Sequence, residues 1–396
     1  MKIGVYDLQT ANLNADRPGR DSDPFFSQLE KALGQPLVHC QPEELAGCDL
    51  PLVFIGGGGS EGFFLQQLPK LEGPIFLLTT GGNNSLAASL EILSYLQRHG
   101  RSGEILHGSC EKVAARILLL ARVFGARRSL RGAKLGSVGA PSDWLIASGV
   151  NPQSVKQVSG LELVDISMEE FMREIDRHEY TPNAFTEEAL AKKYSPEDTE
   201  KSLWIYGALK RLCEKYGLLG VTVRCFDLLP TVKGTSCLAL AILNAEGIYA
   251  GCEGDMTSLI SMAVMGQLTG KPVFMCNPSR LDAEESEIVL AHCTLPMQMP
   301  QSYTFTTHFE SGLGVALDGQ IAPGPCTVFK CAGDFSRHFA AAGTIVENLQ
   351  DPTLCRTQIR VRLPGGVDYF TREPIGNHHL VCLGDETEAI EEFFRW

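Results

Sequence analysis

The chain has 396 residues, 44% of them hydrophobic and 20% charged, which is the composition of a folded globular protein rather than of a disordered or fibrous one. Its length allows two or three domains. The formal net charge of −13 would repel a phosphate backbone, and no run of lysine and arginine offsets it locally, so we expect no nucleic-acid partner.

The first residues, MKIGVYDLQT, are too polar for the apolar region of a signal peptide, and no segment is apolar for long enough to cross a membrane. We therefore expect a cytoplasmic protein without a membrane span. The 13 cysteines are scattered and form no CxxC pair of zinc-site spacing, which favours reduced, buried thiols.

Residues 1–131 alternate short β-rich runs with segments of helical periodicity, a pattern typical of βα units around a parallel sheet. The predicted strands are 2–8, 36–40, 52–55 and 75–79, and the predicted helices are 24–33, 63–68, 85–98 and 111–124. We interpret this part as a Rossmann-like or flavodoxin-like domain.

Residues 132–294 repeat the α/β pattern and predict a second parallel-sheet domain. The predicted strands are 135–138, 220–225, 248–252 and 272–275, the predicted helices include 236–244 and 256–268, and the charged stretch 168–215 is helix-forming. Apolar residues recur at helical spacing along 256–268, which predicts an amphipathic helix.

Residues 295–396 change to short β-rich segments between Gly and Pro turns, and a helix at 386–395 follows them. The predicted β segments are 312–315, 326–330, 343–347 and 357–363. The predicted fold is thus α/β, with two Rossmann-like or flavodoxin-like parallel-sheet domains followed by a smaller antiparallel, barrel-like C-terminal domain.

Two polar side chains follow predicted strands of the second domain. Glu253 comes directly after 248–252 and before a helix that Asp255 would cap, and Asn277 follows the strand 272–275. Ligands of open α/β sheets bind outside the carboxyl ends of the strands, so we expect Glu253 and Asn277 to converge there. From position alone, the Glu253 carboxylate could equally accept hydrogen bonds from the first amide groups of the helix.

Two adjacent histidines, His378 and His379, precede a predicted apolar strand at 380–383. Neighbouring residues of an extended chain point to opposite faces, so only one of them can reach a given site. Such a pair, taken alone, is more often a surface or hydrogen-bonded feature than a metal site.

Together these residues resemble the metal-binding segment of the L-fucose and L-arabinose isomerases, over roughly residues 220–383. The segments that carry the resemblance are, in chain order, CEGD at 252–255, the strand end at Asn277, HCT at 292–294, HFESG at 308–312 and GNH at 376–378. The resemblance implies a monosaccharide substrate, a divalent metal ion that is typically Mn²⁺, and a homo-oligomer, either a trimer or a hexamer.

The resemblance also implies roles for individual residues. The metal ligands would be Glu253, Asn277, His378 and His292, and the substrate contacts would be His308, Glu310 and Asn377. Asn277 stands where the family has an acid. An amide oxygen can coordinate a cation, but it carries no charge and takes up no proton at neutral pH.

The chemistry that such a site supports is aldose–ketose isomerisation, in which a carboxylate moves a proton between two neighbouring carbons. Glu253 and Asn277 occupy the two catalytic positions of the family, but only Glu253 can act as a base. The sequence leaves the second acid open among Asp227, Asp255, Asp282 and Glu310.

Two other interpretations stay open. Because of Asn277, the chain could bind a sugar with little or no catalysis. Gly57, Gly59 and Gly62 form a GxGxxG pattern between a strand and a helix, as in a nucleotide-binding module, but the acid expected after the following strand is missing. A tight loop that contributes to a sugar site is the favoured interpretation of these glycines.

Overall fold

The computed structural model describes residues 1–8 and 24–396. The chain divides into two compact units, which we call the N-terminal unit (residues 1–125 and 395–396) and the main unit (residues 126–394). None of the helices in the described ranges is long and apolar enough to cross a membrane.

The N-terminal unit contains a five-stranded parallel sheet in the order β2-β1-β3-β4-β5, which is the flavodoxin-like order. Its strands are β1 (Ile3–Leu8), β2 (Val38–His39), β3 (Leu50–Ile55), β4 (Ile75–Leu78) and β5 (Gly103–Leu106), and its helices are α1 (Pro24–Leu33), α2 (Glu61–Gln67), α3 (Ser85–Arg98) and α4 (Cys110–Leu130), which runs past the boundary between the units. The central strands are near-continuous apolar runs because both faces of the sheet are buried.

The main unit begins with a four-stranded parallel sheet in the order β7-β6-β8-β9. Its strands are β6 (Lys134–Val138), β7 (Glu162–Ile166), β8 (Leu218–Val223) and β9 (Tyr249–Gly251). The helices of this part are α5 (Pro152–Ser159), α6 (Met168–Ile175), α7 (Ala184–Ala191), α8 (Pro196–Tyr216), α9 (Leu228–Thr231), α10 (Cys237–Ala245) and α11 (Met256–Thr269).

The rest of the main unit is a closed antiparallel barrel in the order β10-β11-β16-β15-β14-β17. Its strands are β10 (Phe274–Asp282), β11 (Glu287–His292), β14 (Gly324–Cys331), β15 (His338–Asn348), β16 (Thr357–Arg362) and β17 (His379–Leu383). The pair β12 (Ser302–Thr306) and β13 (Ala316–Gln320) forms a separate hairpin, and the helices are α12 (Val367–Arg372) and α13 (Thr387–Arg395). The predicted fold class, parallel-sheet α/β domains followed by an antiparallel barrel, is confirmed.

The helix α11 differs from its prediction as an amphipathic helix. All of its residues except Gln267 and Thr269 are buried, because it packs against β8 and β9 of the sheet and also against β14 and β17 of the barrel. Ser258 and Ser261 therefore contact β14 of the barrel rather than water: Ser258 Oγ accepts a hydrogen bond from Lys330 Nζ, and Ser261 Oγ donates one to the Cys331 carbonyl.

The prediction that the strand before Asn277 belongs to the parallel sheet is wrong. The strand that ends the second predicted domain, β10, is not a neighbour of β9 in the parallel sheet but the first strand of the barrel, where it pairs with β11 and β17. It continues through Asn277 to Asp282 with an irregularity between Pro278 and Arg280. The barrel thus already includes residues 274–292, although the composition changes only near residue 295. The predicted strand at 312–315 is irregular chain that leads into β13.

Candidate functional site

The turn between β9 and α11 carries the carboxylate that the sequence singles out. Glu253 has φ 62° and Gly254 has φ 71°, so two consecutive residues are left-handed, which is rare for a glutamate. Two backbone hydrogen bonds hold the turn: Ser142 donates to the Glu253 carbonyl (2.8 Å), and Gly254 donates to the Val223 carbonyl (2.9 Å). This strained geometry is thus tied to two neighbouring segments of the main unit.

We expect Gly254→Ala to destabilise the protein strongly. A Cβ at this position would lie 2.6 Å from the Ala140 carbonyl oxygen, and the left-handed φ adds its own penalty. The φ penalty is about 1–2 kcal/mol, and overpacking against backbone typically adds about 1–3 kcal/mol. Gly247→Ala is the matched control, because Gly247 is also left-handed (φ 84°) but has open space around a Cβ. Urea unfolding should show the larger loss for Gly254→Ala; equal losses would mean that the close approach is unimportant.

The carboxylate of Glu253 faces His378. One oxygen, Oε1, lies 3.6 Å from His378 Nε2, too long for a hydrogen bond, and the other, Oε2, accepts a hydrogen bond from Trp144 Nε1 at 2.6 Å. Burial raises the pKa of Glu253, but the neighbouring His378, His292 and Trp144 outweigh it, so the net pKa is below the usual value. Glu253 is therefore a carboxylate at neutral pH, fixed through one oxygen.

His378 is fully buried and is oriented through its other ring nitrogen. Its Nδ1 is hydrogen-bonded to Asp255 Oδ2 at 2.9 Å, whereas its buried Nε2 has no hydrogen-bond partner. Burial alone would lower the pKa of His378, but Asp255 and Glu253 raise it to about 9. A carboxylate that holds one ring nitrogen while the other is directed at a site is the usual arrangement behind a metal-binding histidine.

Asp255 links this histidine to a lysine of the barrel. The fully buried Asp255 accepts hydrogen bonds from Ser258 N (2.9 Å) and Ser258 Oγ (2.6 Å). Ser258 Oγ in turn accepts one from Lys330 Nζ at 2.5 Å, and Lys330 Nζ lies 3.8 Å from Asp255 Oδ2. Burial raises the pKa of Asp255, but Lys330, His378 and Ser258 hold it well below its usual value. Asp255 caps α11, as predicted, and also orients His378.

His292 lies at the end of β11 with its ring beside that of His378, at a centroid distance of 5.4 Å. Its Nδ1 is 2.9 Å from Thr294 Oγ1. Burial lowers the pKa of His292 to about 4, and His378 acts in the same direction, so its ring is neutral at neutral pH. Ligand atoms of Cys252, Glu253 and His292 all lie within 4.8 Å of one another, close enough to share one ion.

Asn277 lies in β10 next to both histidine-bearing strands. It pairs with Ala291, the residue before His292, and its neighbour Cys276 pairs with His379, the residue after His378. Its Oδ1 is buried and has no hydrogen-bond partner. The strand pairing of the barrel therefore places Asn277 beside the segments that carry His292 and His378. Asn277 does not lie at an edge of the parallel sheet, where the sequence predicts it.

The predicted substrate contacts are His308, Glu310 and Asn377, and each has its own surroundings. The ring of His308 packs edge-on against Phe226 at 5.6 Å, and Phe226 packs against Trp144 at 4.8 Å, so an aromatic path leads from His308 to the residue that binds Glu253. Burial raises the pKa of Glu310. His308 lowers this pKa and Glu253 raises it further, so the net pKa is above the usual value. Asn377 is exposed, and its carbonyl oxygen is bonded to His379 Nδ1.

The two adjacent histidines have separate surroundings, as expected for an extended chain. His379 Nε2 is hydrogen-bonded to the Tyr369 hydroxyl at 2.9 Å, and burial lowers its pKa to about 3. His378, by contrast, is bound by Asp255. Only His378 therefore faces Glu253.

Three of the four acids left open by the sequence are already engaged. Asp227 forms an ion pair with Arg224, and Asp282 accepts hydrogen bonds from two backbone amides that follow it. Asp255 is paired with Lys330. Glu310 is the fourth, and burial together with the Glu253 carboxylate raises its pKa above the ordinary value.

Sequence reasoning missed Trp144 and Lys330. Trp144 belongs to a loop more than 100 residues before Glu253, and no local pattern pointed to it. Lys330 did leave a signal, since a single lysine in the apolar strand GPCTVFKC is unusual at a buried position.

Comparison with known proteins shows distant relatives among enzymes. The chain is 21% identical to the sulfoquinovose isomerases of Priestia aryabhattai and Priestia megaterium over 351 residues, 83% of this chain and 76% of each relative. It is 36% identical to the sulfoquinovose isomerase of Clostridium sp. (strain MSTE9) over 90 residues, which is 22% of this chain and 20% of that protein. No family model matches. The chain is thus distantly similar to sugar isomerases over most of its length.

Proposed function

We propose that this protein is an aldose–ketose isomerase acting on a monosaccharide. The observation that carries the proposal is the approach of the Glu253 carboxylate to the unpartnered Nε2 of His378, 3.6 Å apart, in a chain similar to sulfoquinovose isomerases over 83% of its length. A buried base beside an oriented histidine suits proton transfer on a bound sugar.

The residues present fit a divalent metal ion. His378 Nε2 and Asn277 Oδ1 are buried ligand atoms without hydrogen-bond partners, the Glu253 carboxylate is ionised, and the His292 ring is neutral. His378, whose pKa is raised, would release a proton on binding the ion. Carboxylate and amide oxygens together with imidazole nitrogens suit Mn²⁺, and that ion would polarise the carbonyl and neighbouring hydroxyl oxygens of a bound sugar. We therefore propose Glu253, Asn277, His378 and His292 as its ligands.

The side chains divide the proton transfers between them. Glu253 takes the hydrogen of C2 as a proton and returns it to C1, while the hydrogen bond from Trp144 keeps the carboxylate oriented. The proton of the C2 hydroxyl must reach the oxygen on C1, and we assign Glu310 to this transfer because the other three candidate acids are engaged elsewhere and because burial and the Glu253 carboxylate raise the pKa of Glu310. Atoms balance without an added reactant, since the ketose is an isomer of the aldose.

The substrate proposal starts from the names of the relatives. We place sulfoquinovose first and keep L-fucose and L-arabinose as alternatives from the resemblance of the motifs. A trimer or hexamer is retained as part of this proposal.

The test is an isomerisation assay. With Mn²⁺ added, the protein should convert one of the three sugars into its ketose, as followed by carbon-13 NMR of the anomeric region. Removal of the ion by EDTA should abolish conversion and lower the melting temperature, because a ligand of the folded state alone stabilises it. Absence of ketose from all three sugars in protein shown to bind Mn²⁺ would count against an isomerase of this specificity.

A second candidate is a sugar-binding protein with little catalysis, and the neutral amide of Asn277 favours it. This candidate predicts heat of sugar binding by calorimetry without ketose formation. Gly57 and Gly59 lie in the loop between β3 and α2 of the N-terminal unit, and Gly62 lies in the first turn of α2. In this loop the Gly58 amide donates to the Asn83 carbonyl at 2.8 Å. No observation there favours a nucleotide.

A further inference from the structure

We propose that Lys330, in the barrel strand β14, is a positioning residue for His378 that acts through Ser258 and Asp255. The proposal rests on the proposed function in assigning His378 to the metal and sugar site, but the geometry behind it is independent of any ion. Lys330 itself is fully buried and reaches no substrate.

The contacts form an unbroken path between two layers of the fold. Lys330 in β14 donates to Ser258 Oγ in α11, Ser258 donates to Asp255 Oδ2, and the same oxygen binds His378 Nδ1 just before β17. These four side chains have no exposed surface. Because water cannot replace any of these bonds, the orientation of the histidine ring depends on the whole path.

Charge explains why a lysine is needed. The Asp255 carboxylate is fully buried, and a buried charge is tolerated only when it is paired. A histidine that binds a metal ion must do so as a neutral ring, so it cannot also balance Asp255. Lys330, with its Nζ 3.8 Å from Asp255 Oδ2, supplies a cation that stays in place when the ring is neutral.

The test compares three variants of the full chain. Lys330→Met removes the cation, and Ser258→Ala breaks the path but keeps both charges in case the first variant fails to fold. Ser261→Ala is the matched control: Ser261 is equally buried, lies three residues farther along α11, and bonds to the next barrel residue, Cys331, outside the path. Melting temperature serves as the measure of folding.

Two readouts separate positioning from a merely structural role. The first is the downfield proton resonance of His378 Nδ1–H in protein carrying ¹⁵N-histidine, assigned by its absence in His378→Gln. The second is the Kd for Mn²⁺ by calorimetry. Lys330→Met or Ser258→Ala should shift or broaden the resonance and raise the Kd roughly 10–100-fold, the range seen when a partner behind a metal ligand is removed. Ser261→Ala should change neither.

The two proposals fail in different ways. If the natural protein binds no Mn²⁺, the metal site fails, whereas the resonance of His378 still decides the role of Lys330. If Ser258→Ala and every folded Lys330 variant keep the resonance of the natural protein, the positioning role is overturned even when the melting temperature falls.

Discussion

Glu253→Gln should abolish isomerisation while leaving the fold almost unchanged. The amide has nearly the shape of the carboxylate and its oxygen can still accept the hydrogen bond from Trp144, so the strained turn is preserved. It cannot accept a carbon-bound proton, and loss of a general base typically costs about 10²–10⁴ in rate. It also removes a formal charge from the proposed ligands, so the Kd for Mn²⁺ should rise.

The measurement combines kcat on the active sugar with urea unfolding. Glu246→Gln is a useful control, because Glu246 is another largely buried carboxylate of the main unit that is held by Lys210, Tyr206 and Asn183, away from the site. Glu246→Gln should lower the free energy of unfolding and leave kcat unchanged, whereas Glu253→Gln should do the reverse. A Glu253→Gln protein with the kcat of the natural chain would show that another residue is the base.

Local sequence patterns predicted the elements that depend on neighbours in the chain. The strands β1 to β4 of the N-terminal unit, the helix α3 and the helix α10 were placed within a residue or two, because their periodicity and turn residues are local, whereas the short strand β5 was not predicted. Glu253 and His378 were found by motif, and the structure places them 3.6 Å apart. Their roles stay predictions.

The remaining features of the fold depend on pairing between strands that are far apart in the sequence. The strand β10 was assigned to the parallel sheet because a short apolar run does not reveal which sheet it joins, and only pairing with β17, about 100 residues later, places it in the barrel. The same closure buries α11 on both sides, so that its polar residues Ser258 and Ser261 contact β14. Lys330 could be noticed in the sequence, but its partner could not be named.

Asn277→Asp should have opposite effects on stability with and without a metal ion. Asn277 Oδ1 is buried and has no hydrogen-bond partner, so a carboxylate there would be a buried charge without a partner to stabilise it. Without an ion the variant should therefore melt below the natural protein. Because the neutral amide of Asn277 supplies no ligand charge, we expect the natural chain to bind Mn²⁺ weakly. With Mn²⁺ the added charge of Asn277→Asp becomes a ligand charge, and we expect tighter binding together with faster isomerisation.

Each tenfold fall in Kd adds about 1.4 kcal/mol of stabilisation at saturating ion, so the Mn²⁺-induced rise in melting temperature should be larger for Asn277→Asp than for the natural protein. Ser279→Asp is the control, since it places the same charge two residues farther along β10, outside the proposed ligands. An equal Mn²⁺-induced rise in the melting temperature of both variants would indicate that the added charge attracts cations in general rather than completing a ligand set. If calorimetry shows that the natural protein already binds Mn²⁺ tightly and Asn277→Asp gains neither affinity nor rate, the amide is an adapted part of a different site, and the interpretation as a catalytically impaired relative is abandoned.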